Sequence, residues 1–498
     1  MKKYRLSKTK YVQGIICPKA LWLSIYAPEK QAPPSPGTEY RFKVGIEVGL
    51  LAQERFLDGV AIKTPSYLAA KAVEETQTVV NSVPAAVFEA AFFFNNVLIR
   101  VDVLRPGVDQ NGGSSATWDL IEVKSTTTVK PEHLHDVAIQ QYVLEGCGIT
   151  VGGVYLMHIN TACTYPDLSE LFVLEEVSSR CAKERALVPE TLQRFEGVLS
   201  QEAEPEIDIG PHCDDPYECA FKGYCWRHVP DVSIFNIPRL KADQKTELIA
   251  QRILRIEDLP ASYPLSDSQK KFVHLCRTGQ PEIDARGIRN QLTGLSYPLY
   301  FLDFETDSPA VPRYPGTHPY EKVPFQYSCH NLEKFGSLGH CEYLHEEQSD
   351  PRPPLVRSLI ESIGADGSIV VYNAGFERGV LKALAVQQPE GQEALLGMAE
   401  RLWDLLDIFR LYYFDSAFRG FNSIKNVLPV LVPDLSYEEL EVQNGTAAQI
   451  AWNELLYLED CEEKDQRLSA LKQYCRLDSL AMVEIFKVLW TRCCSDMN

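Results

Sequence analysis

YFLDFET, residues 300–306, is the stretch on which the reading of this chain turns. Side chains alternate along a strand, so Asp303 and Glu305 share one face. The apolar run YFL just before them argues for a buried central strand, where unpaired carboxylates are costly. A further carboxylate comes from near the end of the chain. Tyr474-x-x-x-Asp478 puts both side chains on one face of a last long helix, one turn apart, near LSALKQYCRLDSLAMVEIFKVLW (468–490). Between the two, YNAGFERGVL (372–381) reads as a strand end, a turn and a helix start, and offers Asn373, Phe376 and Glu377. Asp404 and Asp407, in RLWDLLDIFR (401–410), are alternative donors. Four carboxylates on different elements repel unless cations hold them. Two divalent ions roughly 3.5–4 Å apart would do so, and would clamp the attacking and leaving oxygens of a phosphodiester.

A second constellation lies far upstream. FEAAFFFNNVLIRVDVL (88–104) reads as two β-rich runs about a turn at Asn95–Asn96. A Gly/Ser loop at 107–115 is followed by a strand, WDLIEVKS (118–125), a helix over 131–148 closed by Gly146 or Gly148, and another strand over 151–160. Asp102 sits at the end of a strand, and Glu122 and Lys124 point to one face of the next. The carboxylates can hold a divalent ion, which lowers the pKa of bound water and neutralises a phosphate. The lysine can orient the nucleophile or offset transition-state charge. The competing reading is a solvated strand face on which Lys124 merely pairs with Glu122; E-x-K by itself is frequent by chance.

The third constellation is four cysteines. ICPKALWL (16–23) carries Cys17, and HCDDPYECAFKGYC (212–225) carries Cys213, Cys219 and Cys225 in a polar loop containing Pro and Gly. Four converging thiolates suit zinc or an iron–sulfur cluster. The other ten of the fourteen cysteines are scattered or lie in the tail, and read as small buried hydrophobes.

The chain has 498 residues, which at roughly 150 per domain predicts two or three domains. Hydrophobic residues make up 45% and charged residues 23%, the balance of a globular chain, which argues against disorder or a membrane bundle. The basic start, MKKYRLSKTK, has no apolar stretch of secretory type behind it, so the cytoplasm is the default expectation. The net charge of −19 is opposite to that of a simple basic nucleic-acid wrapper, yet leaves room for an enzyme with local basic patches beside acidic metal sites. The predicted class is α/β. Its expected blocks are residues 1–230, a helical connector over 231–290 in which DQKTELIAQRILRIEDLP (243–260) could fold as a small hairpin, and a second α/β block over 291–498.

Three resemblances follow from these residues. From RVDVL through IEVKSTT to the helix with Gln140, the first block resembles the RecB-like branch of the PD-(D/E)XK nucleases, which have a restriction-endonuclease-like fold. The resemblance implies metal binding by Asp102 and Glu122, a catalytic Lys124, and Gln140 beside the site. Many relatives carry a metal-binding His on an early helix; FKVGIEVGLLAQERF (42–56) has none, leaving Glu47, Glu54 or an empty position. They often carry a Tyr four residues after the Gln, where this chain has Leu144, with Tyr142 the nearest tyrosine. One cysteine before the core and three after it resemble the iron–sulfur nucleases, the AddB nuclease domain and the CRISPR-associated RecB-like exonucleases. This implies a structural [4Fe–4S] clamp, with zinc as the alternative, although the spacing here is C-x5-C-x5-C rather than C-x2-C-x5-C. The second block resembles the DnaQ-like, RNase H-like 3′–5′ exonucleases of the DEDDy type, including their connecting segment at SIKNVLP (423–429). That implies metal ligation by Asp303, Glu305, Glu377 and Asp478, with Asp303 bridging and Tyr474 positioning the water. The family's second motif usually ends in Asp, where this chain has Glu377.

The resemblances together imply a bacterial-type fusion: a metal-dependent nuclease with two phosphodiester-hydrolysing sites, each using Mg2+ or Mn2+. The expected partner is DNA, single-stranded or with free ends, with RNA left open and no membrane. Neither half has a Walker A motif, so ATP-driven unwinding is not encoded. Two other readings remain: a nucleic-acid-binding protein in which one or both sites have decayed, and a metal-stabilised scaffold for a protein partner.

Overall fold

The computed structural model describes residues 4–108, 114–334, 336–459 and 461–494. It is a mixed α/β protein in two compact units, one of residues 1–228 with 310–320, the other of residues 229–309 with 321–498. No described helix is long and apolar enough to cross a membrane.

The first unit is built on a seven-stranded sheet. The turn at Asn95–Asn96 has both residues at positive φ, 45° and 62°, the conformation that suits a two-residue hairpin loop. It joins the antiparallel strands Val87–Phe94 and Val97–Val108. Ser114–Lys124 pairs antiparallel to the second of these. Of the loop expected at 107–115, residues 109–113 lie outside the described residues, and Ser114 already belongs to this strand. The helix Pro131–Gly146 then leads to Val151–Ile159, which is parallel to Ser114–Lys124. Helix Pro131–Gly146 buries Val137, Ala138, Ile139, Val143 and Leu144, so one of its faces is core while Gln140 is carried into the interior with them. Asp102 lies in the middle of its strand, not at the end. Residues 310–320 close over this unit: Ala310 joins the cluster of Val48, Ile159, Cys163 and Leu171, and Tyr320 Oη donates to Ser125 O.

The second unit holds a five-stranded sheet. Leu299–Asp307 is its centre, with Tyr300 to Leu302 and Phe304 buried as the apolar run predicts. Val323–Leu332 runs antiparallel on one side, followed outward by antiparallel Leu338–Leu344. Ser368–Val371 runs parallel on the other, followed by parallel Leu402–Asp404. The last helix spans Glu462–Cys494, longer at both ends than the apolar pattern marks. It lies on the sheet, where Phe486 meets Phe301 edge-on at 5.7 Å and Gln326 Nε2 donates to Leu471 O at 3.0 Å.

Residues 229–309 cluster with this second unit, so the stretch 231–290 is not a body apart. Nor does 243–260 make a hairpin. It forms one helix, Ala242–Ala250, closed by a reversal in which Arg252 takes a left-handed φ of 60° and Ile253 N–H reaches back to Leu248 O. Ile256 and Leu259 are then buried by irregular chain, so tertiary burial rather than helical periodicity uses those apolar residues.

Candidate metal centres

In the second unit the strand Leu299–Asp307 delivers Asp303 and Glu305, and the helix Glu462–Cys494 delivers Asp478. One oxygen from each of the three lies within 4.8 Å of the others. Glu305 and Asp478 are buried, at 6% and 7% exposure. Burial first, then Asp478, Glu305 and Glu377, push the Asp303 carboxyl well above the usual range. Burial and Asp478 do the same to Glu305, against some relief from Lys425. Burial raises Asp478 as well, although hydrogen bonds from Tyr437 and Tyr474 and the charge of Lys425 pull the other way. Three carboxyls that repel one another in a dry site are what a cation would relieve. Gly445 begins the helix Gly445–Leu455, and a Cβ there would stand 3.3 Å from Glu305 Oε2, so the missing side chain leaves the carboxylate room.

Glu377 sits in the first turn of helix Ala374–Gln387 and is 2% exposed. It is close enough to raise Asp303 but lies outside the group of three. Its Oε2 has no hydrogen-bond partner, and burial followed by Asp404 pushes its carboxyl up to about 8. Asp404 is engaged elsewhere: it accepts from the N–H groups of Asn373 at 2.9 Å and Ala374 at 3.1 Å, holding the helix start. Asp407 is exposed and pairs with Arg410 at 3.2 Å. Tyr474 is buried at 4% and hydrogen-bonds Asp478. Tyr437, which the spacing did not single out, donates its hydroxyl to Asp478 Oδ1. Lys425, from the SIKNVLP segment, stands 5.5 Å from the Tyr437 ring and 5.7 Å from the Tyr474 ring.

In the first unit Asp102, Glu122, Lys124 and Gln140 do come together, with two further groups. Lys124 Nζ donates to Glu122 Oε1 at 2.7 Å and to Asp136 Oδ2 at 2.5 Å. Lys8 Nζ donates to Glu122 Oε1 at 2.8 Å and Oε2 at 3.0 Å, and lies 3.5 Å from Asp102 Oδ1. Gln140 Nε2 donates to Glu122 Oε2 at 2.8 Å, and Val123 N–H to Asp102 Oδ2 at 2.8 Å. Burial opposes the charge on Glu122, but Lys124 and Lys8 outweigh it and hold the carboxyl well below its ordinary range. Burial and then Glu122 push Asp102 up to about 7, against the pull of the two lysines. Glu47 and Glu54 are exposed, so the third carboxylate here is Asp136. Asp136 stands one turn before Gln140, a spacing that could have marked it. Tyr142 turns to the hairpin, where its hydroxyl accepts from Asn95 Nδ2 at 3.0 Å, and Leu144 is core.

Cys17, Cys213, Cys219 and Cys225 line one small cavity with Lys19, Phe221 and Lys222. Cys17 caps the helix Pro18–Tyr26, its Sγ accepting from Ala20 N–H at 3.4 Å, and Cys219 N–H donates to Cys213 O at 2.8 Å. Burial first, then Cys17, Cys213 and Cys225, raise the Cys219 thiol to about 11. The set offers four sulfur donors from two distant parts of the chain, the chemistry that zinc or an iron–sulfur cluster takes.

The whole is an α/β protein whose second unit carries a buried acidic site. Residues 300–423, about a quarter of the chain, match a family described as a domain of unknown function (DUF2779). The matched stretch contains Asp303, Glu305 and Glu377 and stops short of Tyr474 and Asp478. No curated protein matches the chain.

Proposed function

We propose that this chain is a metal-dependent nuclease with two phosphodiester-hydrolysing sites, acting on DNA with free ends or single strands. The observation that carries the reading is the convergence of Asp303, Glu305 and Asp478 within 4.8 Å, with burial holding all three carboxyls above their ordinary range. The RNase H-like exonuclease assignment draws support from the five-stranded sheet, whose own strands, numbered in chain order, lie third–second–first–fourth–fifth, with the acidic pair on the first. The restriction-endonuclease-like assignment draws support from the run of helix Ala69–Asn81, three antiparallel strands, helix Pro131–Gly146 and a parallel strand, with Asp102 on the second of the three and Glu122 and Lys124 on the third.

Mg2+ or Mn2+ bound by these carboxylates would supply an activated water and neutralise the phosphate. In the second unit Asp303, Glu305, Asp478 and Glu377 are the donors. Tyr437 and Tyr474 both hydrogen-bond the Asp478 carboxylate, and Tyr474 would position an attacking water. In the first unit Asp102 and Glu122 are the donors, Gln140 fixes Glu122, and Lys124 offsets charge on the phosphate. The four cysteines would hold a [4Fe–4S] cluster, or zinc in its place, in a structural role. One observation favours the second reading, a nucleic-acid-binding protein whose first site is inactive: the Lys8 ammonium lies between Asp102 and Glu122.

The test is a nuclease assay on end-labelled single- and double-stranded DNA and RNA, with and without Mn2+, repeated with Asp303→Asn and with Glu122→Gln. Metal-dependent cleavage by the wild type, with one component lost in each variant, supports the two-site reading. Loss of all cleavage with Asp303→Asn alone supports an inactive first site. A wild type that cleaves nothing in Mn2+ rejects the proposal.

A further inference from the structure

The first unit places an ammonium group where a bound cation is expected. Lys8 opens the helix Lys8–Ile16, directly after the capping residue Ser7. A positive charge in the first helical turn opposes the helix dipole, so the position does nothing for the helix itself. Its side chain turns inward to Glu122, which is 2% exposed, and toward Asp102. Glu122 is thereby fully engaged: Oε1 accepts from Lys8 and Lys124, and Oε2 accepts from Lys8 and Gln140. One polar atom in the same cluster is unsatisfied. Gln140 is completely buried and its Oε1 has no hydrogen-bond partner, which leaves an oxygen donor beside the carboxylates. Asp102, Glu122 and Asp136 against Lys8 and Lys124 leave a formal charge of −1, so the cluster is nearly neutral without any ion.

We infer that Lys8 is a tethered counter-cation of the first site, which a divalent metal ion must displace from Glu122 and Asp102 before those carboxylates can ligate it. The inference rests on the proposed reading of the first site as a metal site. Its consequence is a difference between the two units. The carboxylates of the second unit take up metal without first releasing an ammonium from their oxygens. Those of the first bind it only in competition with Lys8, so the first site needs the higher metal concentration.

The experiment uses the full chain in a background of Asp303→Asn and Asp478→Asn, which silences the second site. Mn2+ binding is followed by calorimetry with Lys8 intact and with Lys8→Met. The expected result is at least tenfold tighter Mn2+ binding in Lys8→Met. Should Lys8→Met fail to fold, the wild-type chain still answers through lysine acylation by an N-hydroxysuccinimide ester, mapped by peptide mass. Lys8 should be protected without metal and several-fold more reactive in saturating Mn2+, while the exposed Lys241 stays constant. Equal Mn2+ affinity with and without Lys8, or a Lys8 that stays protected when the first site is saturated, overturns the displacement but leaves the metal site standing. No Mn2+ bound by either protein overturns the metal site, and the displacement with it.

Discussion

In the first unit carboxylates and ammonium groups are interleaved; in the second the carboxylates face one another. Glu122 is flanked by Lys8 at 2.8 Å and Lys124 at 2.7 Å, and its carboxyl is held low. Among the described residues no ammonium hydrogen-bonds to Asp303, Glu305 or Asp478; Lys425 acts on Glu305 and Asp478 only through its charge, and all three are held high. Both arrangements answer the same problem, charge removed from water, in different ways. Paired charges make the first cluster part of what holds its unit together. Unpaired ones make the second a cost to its unit until a cation arrives. One acidic motif can therefore strengthen a fold and another weaken it, depending on which counter-charges the chain brings along.

The contrast breaks most sharply on Asp303→Asn. On the proposed function it should lower metal-dependent nucleotide release from 3′ ends by about a thousandfold or more, since removing a carboxylate that would hold the metal costs several kcal/mol of transition-state stabilisation. The same variant should melt higher than the wild type in the absence of metal, because it removes one repelling carboxylate. A metal-free protein that melts lower would mean that the second cluster is already satisfied.

Cys225→Ser comes next. On the proposed function, a cluster or metal held by the four cysteines would close a loop of about two hundred residues, and a cross-link over such a loop stabilises by a few kcal/mol in the chain-entropy model. The first unit should melt earlier while the second is unmoved, and anaerobic protein should lose its brown absorbance. Colourless wild type with one equivalent of zinc would replace the cluster and leave the clamp.

Glu122→Gln should destabilise the first unit by about 3 kcal/mol even with no metal present, because it leaves Lys8 and Lys124 without their shared partner in a buried site. Denaturant unfolding measures this, and an unchanged midpoint would deny the pairing its structural weight.

The pH dependences carried by Glu377 and by Glu122 should run in opposite directions, while Asp102, raised to about 7, shares the sign of Glu377. Carboxyls raised in the folded state contribute stability that is complete below their unfolded values and is lost as pH rises through the folded ones. For Glu377 that window runs from about 4.5, its unfolded value, to about 8. The metal-free second unit should therefore lose stability between about pH 5 and 8.5, and Mn2+ should restore it. Glu122 is lowered, so its contribution is present above about 4.5 and fades as pH falls below. Differential scanning calorimetry across pH, with and without Mn2+, separates the two. Smallest is Tyr437→Phe, which removes one hydrogen bond to Asp478 and should cost about 1 kcal/mol, read as a several-fold weaker Mn2+ affinity in the second unit.

Much of this was legible along the chain because it is local. Alternation put Asp303 beside Glu305 and Glu122 beside Lys124, a helical turn put Tyr474 beside Asp478, and two Asn residues marked the hairpin at 95–96. The mixed α/β class followed from the same periods. What local period could not supply is which distant group lies opposite. Lys8 reaches a glutamate 114 positions away, and Tyr437 reaches an aspartate 41 positions away. Nothing in the run SKTK distinguishes the one lysine that turns inward. Asp404 illustrates the converse: it was a plausible ligand by type, yet the backbone N–H groups of Asn373 and Ala374 occupy it.

By itself the sequence determined which residues could carry charge chemistry and on what kind of element each would stand, because φ/ψ preference and side-chain period act over a few residues. Only the tertiary structure decided the state of those charges. Burial and the distance to a counter-charge set whether a carboxyl is held low, as at Glu122, or high, as at Asp303, and both come from segments brought together by folding.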